Sequence, residues 1–198
     1  MQKRMIAVVM AMMLAITMVK AQMQPTELDK SPMDISYSPN AFPIMKFQGK
    51  ATGTPNARVM YSRPQKRGRT IFGGEVKYDE AWRLGANENT EIELFKDGTI
   101  GGKKIAKGRY SMFCIPTADS WTIIINKDLD NWGNFNYDSK KDLLRFSVPV
   151  QKTDLVENFT IYFDISNNLL IMWDDVKVSI PMSFLPEKLV PPAKPKGK

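Results

Sequence analysis

From residue 56 onward, apolar and polar positions follow one another in short runs rather than at helical spacing, and this pattern predicts strands. Residues 57–61 open the series, 91–96 alternate with period two, and 110–115 form an apolar run that Pro116 ends. Runs at 121–126, 143–150, 158–165, 169–173 and 176–182 follow, separated by turn residues. Asp97-Gly98 ahead of Thr99-Ile100 reads as a hairpin signal, and Gly101, Gly102 and Gly108 punctuate the segments after it. No stretch keeps helical period over three turns, so the pattern allows only a short helix within 138–143. Many closely spaced strands without alternating helices predict an all-β protein: a single antiparallel β-sandwich, with a barrel-like arrangement as the variant.

The two ends read differently. Lys3 and Arg4 precede an apolar run at 5–19, interrupted by Thr17, and Val19-Lys20-Ala21 follows. That order is the pattern of a signal peptide over 1–21, which implies export to the periplasm or the extracellular side. The run is shorter than the roughly 20 apolar residues a spanning helix needs, so no membrane span is expected. No cysteine follows it to carry a lipid, which argues against a lipoprotein. Residues 22–55 hold Pro25, Pro32, Pro39 and Pro43 and read as an extended lead-in with one short strand near 33–37. The β domain occupies 56–186, and 187–198 form a disordered tail of proline and lysine.

Charge changes its meaning once these segments are set apart. The chain carries +7. Removing the signal and the tail leaves 21 basic against 20 acidic side chains over 22–186. A nucleic-acid partner is therefore not expected, because such binding leaves a basic footprint on the domain itself. With a single cysteine, Cys114, no internal disulfide can form, and the core must hold the fold. Cys114 lies in a strand-like run and reads as a buried, inert thiol.

Composition also removes chemistries. The chain has no histidine, which excludes Ser-His-Asp and Cys-His catalysis and imidazole metal sites. The segment from Gly98 to Lys104 has the glycines and lysines of a phosphate loop but the wrong spacing, and it reads as a hairpin. Asp128-Leu129-Asp130-Asn131-Trp132-Gly133 begins like a calcium loop but has Trp132 where an oxygen ligand belongs and Ser139 where a glutamate belongs. It reads as a turn. No cofactor or metal is expected.

Two polar segments remain that strand formation does not require. Tyr61-Ser62-Arg63-Pro64 runs into a stretch holding Lys66, Arg67 and Arg69, with five cationic and no acidic side chains between Arg58 and Arg69. The second segment is Trp82-Arg83-Leu84-Gly85-Ala86-Asn87-Glu88. Guanidinium groups offer planar donor pairs for carboxylates or phosphates, an indole offers a stacking face, and Asn87 with Glu88 can orient a hydroxyl. Arg63, Arg69, Trp82, Arg83, Asn87 and Glu88 are accordingly the candidate ligand-binding residues. The competing reading pairs Arg83 with Glu80 or Glu88 and has Arg63 brace its loop against a carboxylate.

These motifs resemble those of the exported bacterial proteins grouped as domain of unknown function 2911. The resemblance rests on Tyr61-Ser62-Arg63-Pro64, Lys66-Arg67-Gly68-Arg69, Ile71-Phe72-Gly73-Gly74 and the Trp82 to Glu88 segment, and continues through Gly108-Arg109-Tyr110-Ser111, Trp132-Gly133 and Val178-Ser179-Ile180-Pro181. Leu84 departs from it, standing where a small polar residue is expected. The resemblance implies one compact β domain in a bacterial envelope and brings no assigned activity. Three functions then compete: a non-catalytic module binding a small anionic or hydroxylated ligand such as a glycan, a structural envelope protein without a ligand, and a histidine-free hydrolase using Glu88.

Overall fold

The computed structural model describes residues 27–186. The signal segment and the Pro/Lys tail read from the sequence lie outside them. The chain divides into two compact units at Lys30/Ser31, and every strand of the described residues belongs to the second.

The alternating runs form strands, as expected. They are β1 (Met33–Ser38), β2 (Ala57–Ser62), β3 (Thr90–Leu94), β4 (Gly98–Ile100), β5 (Lys103–Ile105), β6 (Gly108–Pro116), β7 (Ser120–Asn126), β8 (Asp142–Pro149), β9 (Gln151–Phe163), β10 (Leu169–Ile180) and β11 (Met182–Phe184). All pairings are antiparallel. One open sheet has the order β1-β2-β3-β6-β7-β8, β9 pairs with β10, and a small sheet runs β11-β4-β5. The six-stranded sheet has two free edges, so the sandwich reading holds and the barrel variant does not.

Alternation explains where the core sits. Val59, Ile92, Met112, Cys114, Ile123 and Ile125 point to one side of the large sheet and are fully buried. Phe159, Ile161 and Phe163 of β9 and Leu169, Ile171, Trp173, Val178 and Ile180 of β10 are buried with them in the same core cluster. Each such side chain contributes on the order of 1.5–3 kcal/mol by leaving water. Burial pushes the Cys114 thiol well above its ordinary pKa. A thiol reagent at neutral pH is therefore expected to leave Cys114 unmodified in the native protein and to label it fully in denaturant; rapid native labelling would show the site to be open.

Three local expectations change. The lead-in is not wholly extended: Pro43 stands in the first turn of a short helix, α1 (Phe42–Phe47), where its missing N–H costs nothing. The helix expected within 138–143 is a single 3₁₀ turn, Ser139–Lys141, whose first free amide is capped by the Asp138 carboxylate at 2.9 Å. Residues 169–180 are one strand rather than two. Asp174 adopts a left-handed φ of 56° inside a register shift, so Asp174-Asp175 marks a bulge.

Asp97-Gly98 is likewise not a hairpin turn. The two-residue turn between β4 and β5 is Gly101-Gly102, with φ of 57° and 75°, the combination that a type I′ hairpin turn requires. At Asp97-Gly98 the chain instead leaves the large sheet for the small one.

Candidate functional site

The outward side of the large sheet carries polar residues in register. Met60 pairs with Glu91, Glu91 with Ser111, Ser111 with Asn126, and Asn126 with Asp142. This row, drawn from five strands, holds the segment 127–138 against the sheet. The Asp130 N–H donates to Glu91 Oε1 at 3.0 Å, and Ser111 Oγ donates to the Asp128 carbonyl at 2.7 Å. Asn126 Nδ2 donates to Asp142 Oδ1 at 2.8 Å and to the Asp138 carbonyl at 3.0 Å, while its Oδ1 accepts the Asp128 N–H. The Tyr137 ring packs on Phe113 at 4.8 Å, and its hydroxyl donates to Asp142. Burial beside that carboxylate raises the Tyr137 phenol to about 12, so it stays a donor at any physiological pH.

Between this anchored segment and the strands β1 and β2 lies an open cleft of about 320 Å³. Met33 and Met60 make its apolar floor, and the Trp132 indole, 59% exposed, stands at its rim. The polar lining is Glu88, Asn89, Glu91, Arg109, Asp130 and Asn131. Arg109 bridges Glu91 and Asp130, and these hydrogen bonds raise the proton affinity of its guanidinium. Glu91 is almost wholly buried, so the pair is more than a solvated surface contact. The Asp128 carboxylate is tied to Lys141 at 2.9 Å.

The long connection 63–89 brings the sequence-predicted residues to different places. Isolated bridges fasten it to the domain: Gln65 to Asn158, Trp82 to Cys114 and Glu88 to Trp132. Arg63 is a brace. It pairs with Asp34 at 3.0 Å and donates to Thr160 Oγ1 and the Phe159 carbonyl. Tyr61 beside it also donates to Asp34, and burial raises its phenol to about 12. Arg69 serves its own loop, pairing with Glu75 at 2.9 Å and donating to the carbonyls of Gln65 and Lys66.

Trp82 corrects the expectation of an open stacking face. It is 7% exposed and packs among Phe159, Trp121, Trp173 and Phe72, with ring centroids 5.2–6.1 Å away. Its Nε1 donates to the Gly85 carbonyl at 3.2 Å. Beyond Thr90, where β3 begins, the Trp82 backbone exchanges hydrogen bonds with Cys114 of β6 at 2.7 and 2.9 Å. That backbone position puts the indole inside the sandwich.

Arg83, Asn87 and Glu88 do share a neighbourhood, the turn 131–135. Asn87 takes a left-handed φ of 57°, and its carbonyl accepts the Gly133 N–H at 2.8 Å. The Gly133 backbone lies over the Arg83 stem, since a Cβ there would stand 3.8 Å from Arg83 Cδ. Glu88 is exposed and lines the cleft. Arg83 pairs with neither Glu80 nor Glu88 among the ion pairs of the described residues; Glu75 is the acidic group that acts on it. Sequence reasoning missed Met33, Met60, Glu91, Arg109, Asp130 and Asn131 as cleft residues. The available signal was Trp132, an aromatic residue set in a polar turn beside a glycine.

The fold and the cleft define an all-β sandwich domain with a polar, aromatic-rimmed groove on one sheet face. A family model described as a protein of unknown function, DUF2911, matches residues 43–182, and the chain belongs to that family. No curated protein and no solved structure matches it.

Proposed function

We propose that this is an exported envelope protein acting as a non-catalytic binding module, and that its ligand is a small hydroxylated molecule, a glycan unit, seated in the cleft beside Trp132. One observation carries the reading: an exposed indole rims a cleft lined by the free carboxylate of Glu88 and the amide of Asn131. Sugar rings present apolar C–H faces to an aromatic surface and hydroxyls to carboxylates and amides, which is the pairing of surfaces offered here. The charge of the lining favours the hydroxylated over the anionic class. Three carboxylates face one guanidinium, and that guanidinium is already shared between Glu91 and Asp130. The signal pattern of 1–21 supports export.

Calorimetric titration with neutral mono- and oligosaccharides and with uronates tests this. Neutral sugars are expected to bind in preference to uronates. Trp132→Ala is expected to weaken binding by at least about tenfold, and, because the indole is mostly exposed, to leave stability within about 0.5 kcal/mol. A panel in which no sugar binds the unmodified protein overturns the reading and leaves a structural envelope role. Hydrolysis is the second reading, because Glu88 and Asp130 line one cleft. Release of reducing ends from an oligosaccharide, abolished by Glu88→Gln, would put it first.

A further inference from the structure

Seven arginines lie among the described residues, and six of them are tied by hydrogen bonds or ion pairs to protein groups. Arg83 is the exception. Its Nε is sealed from solvent with no acceptor, and its side chain makes no hydrogen bond or ion pair with any described residue. Burial lowers the proton affinity of this guanidinium, and Glu75 only partly opposes the effect. Glu75 acts on it only through space, without an ion pair to it, and its carboxylate pairs with Arg69 at 2.9 Å.

A cation drawn partly out of water without a partner is destabilising unless something completes it. The surroundings hold the side chain in that condition. The Gly133 backbone packs against the Arg83 stem, and the turn 131–135 over it is fastened by Asn134 Nδ2 donating to the Ala81 carbonyl at 2.5 Å and by the Gly133 N–H on Asn87. Only Nε is fully sealed, so the forked end of the guanidinium is the part an incoming group can reach.

We infer that Arg83 anchors a second binding site, which takes a small oxyanion, a carboxylate or a phosphate group, on its terminal nitrogens. A planar fork of N–H donors matches two oxygens of such a group, and the partly desolvated setting strengthens the contact. The site is separate from the Trp132 cleft in residues and opposite in charge preference, and it does not rest on the glycan reading. Its cost in the empty protein is the mark of a functional group rather than a structural one, since binding sites hold groups that the fold alone would not choose.

Thermal melting of the unmodified protein and of Arg83→Met tests this in acetate, inorganic phosphate and chloride at equal ionic strength. Acetate or phosphate is expected to raise the melting temperature of the unmodified protein above its value in chloride, and the two salts show whether the site prefers a planar or a tetrahedral group. Arg83→Met is expected to lose this response and, in chloride, to melt at least as high as the unmodified protein, by up to about 2–4 °C more. A lower melting temperature for Arg83→Met in chloride would mean that the guanidinium supports the fold, and the inference would fall. The Arg83 Nε–Hε NMR signal of the unmodified protein gives an independent readout. It is expected to move on titration with the preferred oxyanion and not with chloride; a signal that stays in place under both oxyanions also overturns the site.

Discussion

Trp82→Ala is expected to lower the stability of the domain by about 3–5 kcal/mol in denaturant unfolding, the cost of removing a large aromatic side chain from a packed core. The indole touches both layers of the sandwich. It stacks near-parallel on Trp173 of β10 and meets Phe159 of β9 and Trp121 of β7 edge-on. Its removal would leave a void lined by three rings that cannot collapse together, because each is held by its own strand. It would also leave the Gly85 carbonyl without its donor, at the point where the chain turns toward Asn87 and Glu88. Trp82→Phe keeps most of the volume and is expected to cost well under half as much. A loss below about 1 kcal/mol for the alanine variant would show the ring to be dispensable to the core and return Trp82 to the list of ligand contacts.

The same tryptophan shows what the sequence can and cannot tell. Strands were legible because burial on one face of a sheet imposes period two, as at 57–61, while short apolar runs such as 110–115 and 121–126 suit strands covered on both faces. Trp82 was not legible, since a tryptophan set among arginine, asparagine and glutamate has the composition of a binding surface. Its burial is decided by where β3 begins and by the backbone bridge to Cys114, both long-range facts. Arg63 and Arg69 mislead for a related reason: a guanidinium fork that fits a ligand carboxylate fits Asp34 or a loop carbonyl equally well. The cleft was invisible because its supporting row, Glu91, Ser111, Asn126 and Asp142, is spread over 52 positions of sequence and meets only through strand register. Glu88 alone of the cleft residues was named from its motif as a candidate contact, and its ligand role is the reading that the titrations test.

Gly98→Ala carries the second large expected effect, a loss of about 3 kcal/mol, at the upper end of what overpacking costs. Read locally, Asp97-Gly98 is a turn pair, and glycine would be there for a left-handed φ. In the fold Gly98 is not left-handed, and the reason for glycine is contact: a Cβ at this position would stand 2.0 Å from the Ser183 carbonyl oxygen. Both atoms belong to backbones that pair across β4 and β11, so neither can swing aside as a side chain would. Relief requires the two strands to part. That would strain the Leu185 N–H bond to the Asp97 carbonyl and the Gly101 N–H bond to the Pro181 carbonyl. It would also open the end of the core that Ile100 and Met182 close. Asparagine separates the two explanations, because it tolerates left-handed backbone but still carries a Cβ. Gly102→Asn, in the true hairpin turn where nothing lies within 4 Å, is expected to be nearly neutral. Gly98→Asn is expected to be as damaging as Gly98→Ala; if asparagine were instead tolerated at 98, turn geometry and not the approach of β11 would be what glycine provides there.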